Sequence, residues 1–190
     1  MTPRLQHLWI LLVLTGLAAA TTYAPSTVDD RIRTAERVMC AECRSVEVRP
    51  DSSTGLLYTY STFDLLEDLK GRSDTPTIRL RLLGGRLGDR ATVVVGVPQF
   101  KRGTEYVLML GKRNKAGYPT VVQFERGVLK MRRDARGRRF VEGAVGVGVR
   151  RAVSMPLDKF RTRVARVVRE QEEARRKQAK RKGPKAGGGK

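Results

Sequence analysis

Apolar positions along this chain fall into three regimes: a continuous run at the start, a period of two through the middle, and a helical period near the end. The opening run, Leu8–Leu17, follows Arg4 and precedes Ala18-Ala19-Ala20. A charged flank, a short apolar stretch and a small-residue site are the parts of a secretory signal peptide. The run is too short to span a bilayer. Residues 1–20 are therefore read as a signal cleaved after Ala20, and residues 21–30, with Pro25, as a polar linker. The mature chain has no transmembrane segment on this reading.

The middle of the chain predicts short strands. Ile32–Val48 carries Val38, Val46 and Val48, and Pro50–Gly55 is a cluster of turn residues. Leu57–Leu66 is rich in Tyr, Thr and Phe, which suit a half-buried pleated surface. Thr77–Leu83 alternates most cleanly, with Ile78, Leu80 and Leu82 on one face and Arg79 and Arg81 on the other. Val93–Val97 reads as an edge strand ended by Pro98. Tyr106–Leu110 is continuously apolar and predicts a central strand. Thr120–Phe124 and Gly127–Met131 follow, and Asp134–Gly137 predicts a turn before a strand over Arg139–Val149.

At Ser154 the period changes. Leu157, Phe160, Val164, Val167 and Val168 recur at three- and four-residue spacing, the stripe of an amphipathic helix with Pro156 in its first turn and Ser154 as a candidate cap. From Glu170 to Lys182 the pattern is polar all round, so a helix there projects into solvent. The closing segment Gly183–Lys190 is of low complexity. The expected fold is mainly β: a small OB-like β-barrel with one C-terminal amphipathic helix over residues 31–170, then a basic, largely disordered tail over 171–190.

Charge narrows the partners. The chain has 39 Lys and Arg against 19 Asp and Glu, a formal charge of +20. Such an excess favours an anionic polymer or surface. It is uneven: residues 157–190 hold 13 basic and 4 acidic side chains. Arg175, Arg176, Lys177, Lys180, Arg181 and Lys182 form the densest runs and are the candidate polyanion-binding residues. No aromatic follows Phe160, so base stacking has no platform in the tail, and nothing there points to sequence-specific nucleic-acid recognition.

Candidate chemistry is sparse. His7 and Trp9, the only ones of their kinds, leave with the signal, which closes every mechanism that needs imidazole. Cys40-Ala41-Glu42-Cys43 is a C-x-x-C in a chain read as exported, a candidate disulfide or redox pair. Positions three apart in a regular strand face opposite ways, so bridging the two sulfurs needs a bulge or turn. A zinc site needs about four ligands, which two cysteines without histidine do not supply. Gly84-Gly85-Arg86-Leu87-Gly88 lacks the ending of a phosphate loop, and Gly146-Val147-Gly148 lacks a third glycine. Asp64, Glu67 and Asp68 read as a solvated edge. No cofactor motif and no catalytic set is assigned.

Several motifs together carry a resemblance. They are Val46-Glu47-Val48, Leu57-Tyr58-Thr59, Leu69-Lys70-Gly71, Gly84-Gly85, the stretch Phe100–Leu110 with its Phe-x-x-Gly-x-x-Tyr spacing, and Pro156-Leu157-Asp158-Lys159-Phe160. Over residues 31–170 they resemble a family of exported bacterial proteins with a small OB-like barrel and no assigned activity. That layout is distantly similar to the netrin-like barrel of tissue inhibitors of metalloproteinases and to domains found beside secreted zinc proteases. Those inhibitors begin with a cysteine that touches the protease metal, whereas Cys40 and Cys43 fall inside the first predicted strand. The expected function is an exported, periplasmic or extracellular, non-enzymatic binding module for an anionic envelope partner or a secreted protein. The alternative is a periplasmic thiol–disulfide protein using Cys40 and Cys43.

Overall fold

In a computed structural model, residues 26–143 and 153–181 are described. The signal assignment, the first half of the linker, Gly146-Val147-Gly148 and the segment Lys182–Lys190 lie outside the described residues. The fold is mainly β with a C-terminal helix.

The chain enters through a short helix that the sequence pattern did not predict. Helix α1, Val28–Thr34, occupies ground assigned to the linker and to the start of the first strand. Its cause is local: Thr27 and Asp30 form a capping box, each side chain satisfying the other's backbone N–H. Val28 and Ile32, four apart on one face, are buried.

Strand β1, Arg37–Pro50, and β2, Leu57–Lys70, form a long antiparallel hairpin. Register shifts at three places along β1 bend it. At the tip, Asp51 Oδ1 accepts from the backbone N–H groups of Ser53 and Thr54 at 3.1 and 3.0 Å. At the other end Gly71 turns the chain at φ +71°, where a Cβ would stand 2.9 Å from the Glu36 carbonyl oxygen. That close approach is the physical content of the Lys70-Gly71 motif.

Strand β3, Thr77–Leu83, pairs with β2, and its alternation is as the sequence predicts, with Ile78 and Leu80 buried. The glycine-rich segment is a small hairpin, β4 Gly85–Leu87 against β5 Arg90–Thr92, rather than a loop. Val93–Val97 is not a strand; Val93 and Val95 are 85% and 87% exposed. Its alternation pairs with nothing.

Strand β6, Glu105–Arg113, is central, flanked on one side by β1 and on the other by β7, Pro119–Val121, and β8, Val128–Arg133. A 3₁₀ turn, Phe124–Gly127, interrupts what would otherwise be one long partner strand. Strand β9, Arg139–Gly143, pairs with β8, and β10, Val153–Pro156, pairs with β9. Ser154 therefore lies in a strand and is no helix cap, and Pro156 directly precedes the helix, where its missing N–H costs nothing. The main sheet runs β10-β9-β8-β6-β1-β2-β3, and the barrel is not closed: β3 remains an edge near β7.

Two cores explain why Val38–Ala41 of β1 and Tyr106–Leu110 of β6 are continuous apolar runs. One face of the sheet carries Met39, Ala41, Cys43, Phe63, Ile78, Leu80, Tyr106, Leu108 and Leu110. The other carries Val38, Cys40, Val107, Met109, Leu129 and Val141, covered by α1 and by helix α2, Leu157–Arg181. Leu157, Phe160, Val164 and Val167 of α2 are fully buried there, as their spacing predicts. A strand covered on both faces reads as a solid apolar run.

Candidate functional site

Helix α2 does not fray where its apolar stripe ends. It continues as helix through Arg181, so most of the segment expected to be a disordered tail is ordered secondary structure. The reason is cooperative: a helix already nucleated on the core adds turns at no nucleation cost. Glu172 and Arg176, and Glu173 and Lys177, stand at the favourable i, i+4 spacing.

The proximal part of α2 is fixed by charge as well as by packing. Asp29 of α1 accepts from Arg163 Nε at 2.5 Å and from Arg166 Nη2 at 2.6 Å. Burial alone would raise the Asp29 carboxyl, but these two guanidinium groups reverse the effect and hold it below the ordinary aspartate value. Arg161 reaches across to Glu67 on β2, with Nη2 to Oε2 at 2.6 Å. Glu170 pairs with Arg33 at 2.9 Å.

Beyond Gln171 every residue of the described helix is exposed. Arg175, Arg176, Lys177, Lys180 and Arg181 lie in these last turns, spanning about 9 Å along the axis. At 100° per residue Arg176, Lys177, Lys180 and Arg181 fall within about 140° of one another and Arg175 stands opposite them, and only Ala174 and Ala179 are apolar. A helix that lies in a bilayer interface needs an apolar face. The described turns have none, and what they present to solvent is charge. Lys182, the sixth residue of the basic run, lies outside the described residues.

The cysteines are placed quite differently. Cys40 and Cys43 are both free and buried, 1% and 0% exposed. They sit on opposite faces of the sheet, Cys40 in the core under the helices and Cys43 in the other. Burial, aided by the charge of Glu67, pushes the Cys40 thiol up to about 12, and burial also raises Cys43. Redox thiols need a stabilised thiolate and access, and neither condition holds. Asp64 pairs with Arg44 at 2.9 Å and Glu67 with Arg161, while Asp68 accepts from the Ser73 N–H at 3.0 Å through Oδ2 and its buried Oδ1 has no partner among the described residues.

One feature escaped the sequence reading. On the outer face of the β1–β3 sheet, arginines and tyrosines interleave. The Arg81 guanidinium sits 3.8 Å over the Tyr58 ring, and Arg79 sits 4.9 Å over Tyr60. Tyr118, from the β6–β7 hairpin, meets Tyr60 edge-on at 6.0 Å. The alternation of β3 announced the outward-facing arginines, but the tyrosines beneath them come from another strand and another hairpin, which only pairing register brings together. A cleft of about 250 Å³ opens beside this surface, at the seam where β3 fails to join β7.

The motif Phe100–Tyr106 also has a structural role. Phe63, Phe100 and Tyr106 form an edge-to-face trio with centroids 4.8–6.3 Å apart, and Tyr106 Oη accepts from the Lys101 N–H at 2.9 Å. Among the described residues no group of three His, Cys, Asp or Glu side chains could hold a metal ion, and no helix is long and apolar enough to cross a membrane. Comparison of this chain with protein-family models, with curated proteins and with solved structures found no match.

Proposed function

We propose that this chain is an exported, non-enzymatic binding module that meets an anionic polymer or surface through the distal turns of α2. The observation that carries the reading is the ordered helix end from Glu172 to Arg181, exposed throughout and carrying five cations. Ordering matters because cations held on a helix lose less freedom on binding than those on a disordered chain. With no apolar face, affinity comes from counterion release and is independent of the partner's sequence. Export rests on the leader pattern Arg4, Leu8–Leu17 and Ala18–Ala20.

The thiol–disulfide alternative receives no such support. Cys40 and Cys43 face different cores, and both thiols are pushed away from thiolate.

The test compares the full chain with a form ending at Gln171, both titrated with duplex DNA and with anionic phospholipid vesicles over a range of salt. The full chain binds both polyanions with the log of affinity falling linearly with the log of salt, and truncation reduces that slope by about the number of cations removed. Equal affinity and equal slope for the two forms would overturn the assignment.

A further inference from the structure

We propose that the cleft at the open seam between β3 and the β6–β7 hairpin is a subsite for a single phosphoryl group. Three arginines line it, Arg37 from the start of β1, Arg79 from β3 and Arg113 from the end of β6, together with Thr75, Thr77 and Tyr118. No carboxylate lines it. Among the described residues none of these three arginines is paired with an acid.

Several other arginines on the strands are neutralised by carboxylates. Arg81, two residues along β3 from Arg79, is bound to Asp51 at 2.6 Å. Arg44, Arg132, Arg133 and Arg138 all have carboxylate partners. Three arginines lining one concavity without an acid leave it positively charged, and an anion entering the cleft offsets that charge.

Two of the three are also held in place. Arg79 lies over the Tyr60 ring, and Tyr60 is itself braced edge-on by Tyr118. Arg113 Nη1 donates to the Gly117 carbonyl at 2.6 Å, which leaves the rest of its donor fork free. Planar forked donors held in advance suit the oxygens of a tetrahedral dianion. At about 250 Å³ the cleft has room for a phosphoryl group and part of the molecule that carries it. The site is separate from α2 and does not depend on the reading given to that helix.

The test is calorimetric titration of the full chain at constant ionic strength with inorganic phosphate, with dimethyl phosphate as a diester and with acetate as a control. Inorganic phosphate binds at one site and acetate does not. Arg79→Ala and Arg113→Ala each weaken phosphate binding about tenfold, near the loss of one charge-assisted hydrogen bond. Both side chains are exposed, so the variants keep the thermal midpoint of the parent. Arg79→Lys keeps the charge but loses the fork, and falls between parent and Arg79→Ala. Binding of dimethyl phosphate as tight as that of inorganic phosphate identifies a phosphodiester source; preference for inorganic phosphate identifies a free or terminal phosphate. Phosphate binding unchanged in the two alanine variants, or abolished by ending the chain at Gln171, would overturn the proposal.

Discussion

Lys70 Nζ donates to Gln171 Oε1 at 2.9 Å, and the same ammonium donates to the carbonyl of Ile32 at 2.6 Å. One side chain at the end of β2 thus ties together the C-terminus of α1 and the last half-buried turn of α2. It satisfies helix-end carbonyls that have no intrahelical donor. Burial and the charge of Arg175 lower the Lys70 pKa, the expected mark of an ammonium drawn off the solvent. Lys70→Met is expected to destabilise the fold by about 1–3 kcal/mol in urea denaturation. Amide exchange in α2 beyond Val167 should accelerate with it; unchanged exchange there would show that Lys70 does not hold the helix.

Acid should loosen the seat of α2. The Asp29 carboxyl is held below its ordinary value in the folded chain. Its contribution is therefore complete above the unfolded value and is lost as pH falls through the folded one. Asp29→Asn is expected to remove about 1–2 kcal/mol at neutral pH, discounted for the partly exposed arginines. It should also flatten the stability profile below about pH 4. A variant whose acid profile matches the parent's would sink this account.

Neither thiol should be available to reagents. With Cys40 at about 12 and both sulfurs buried, alkylation at pH 8 should wait for global unfolding and run at the unfolding rate. Mass spectrometry of the native protein after brief exposure to iodoacetamide should show no adduct. Rapid labelling of Cys40 or Cys43, or a bond between them, would restore the redox reading.

The aromatic trio is the anchor of the core that faces away from the helices. Phe63 is fully buried between Phe100 and Tyr106. Phe63→Ala should cost about 3–5 kcal/mol, read as a shift in denaturation midpoint. A cost below about 1 kcal/mol would mean that Phe100 collapses into the space.

Gly71→Ala tests the turn rather than the core. The new methyl would meet the Glu36 carbonyl in a left-handed backbone conformation. A loss of more than about 1 kcal/mol is expected. Gly103, also left-handed but with nothing near its Cβ position, should lose less on the same change. Equal losses at the two glycines would mean that the close approach at Gly71 contributes nothing.

Features that rest on local periodicity follow from the order of residues alone. The alternation of Ile78, Arg79, Leu80 and Arg81 sets the two faces of β3, because side chains in a strand alternate whatever lies beside them. The spacing of Leu157, Phe160, Val164 and Val167 sets the buried face of α2 for the same kind of reason. Three-residue separation also placed Cys40 and Cys43 on opposite sides before any partner strand was known. Other outcomes depended on what lies across the sheet. Val93–Val97 has a strand's composition and no partner, so it is not a strand. Thr27 and Asp30 form a capping box inside a segment that composition alone assigns to a linker, and Ile32 then buries against α2's core. Closure of the barrel is a global condition on register and curvature, and it fails at β3 and β7. The cleft lined by Arg37, Arg79 and Arg113 lies at that open edge: three arginines far apart in the chain border one concavity there.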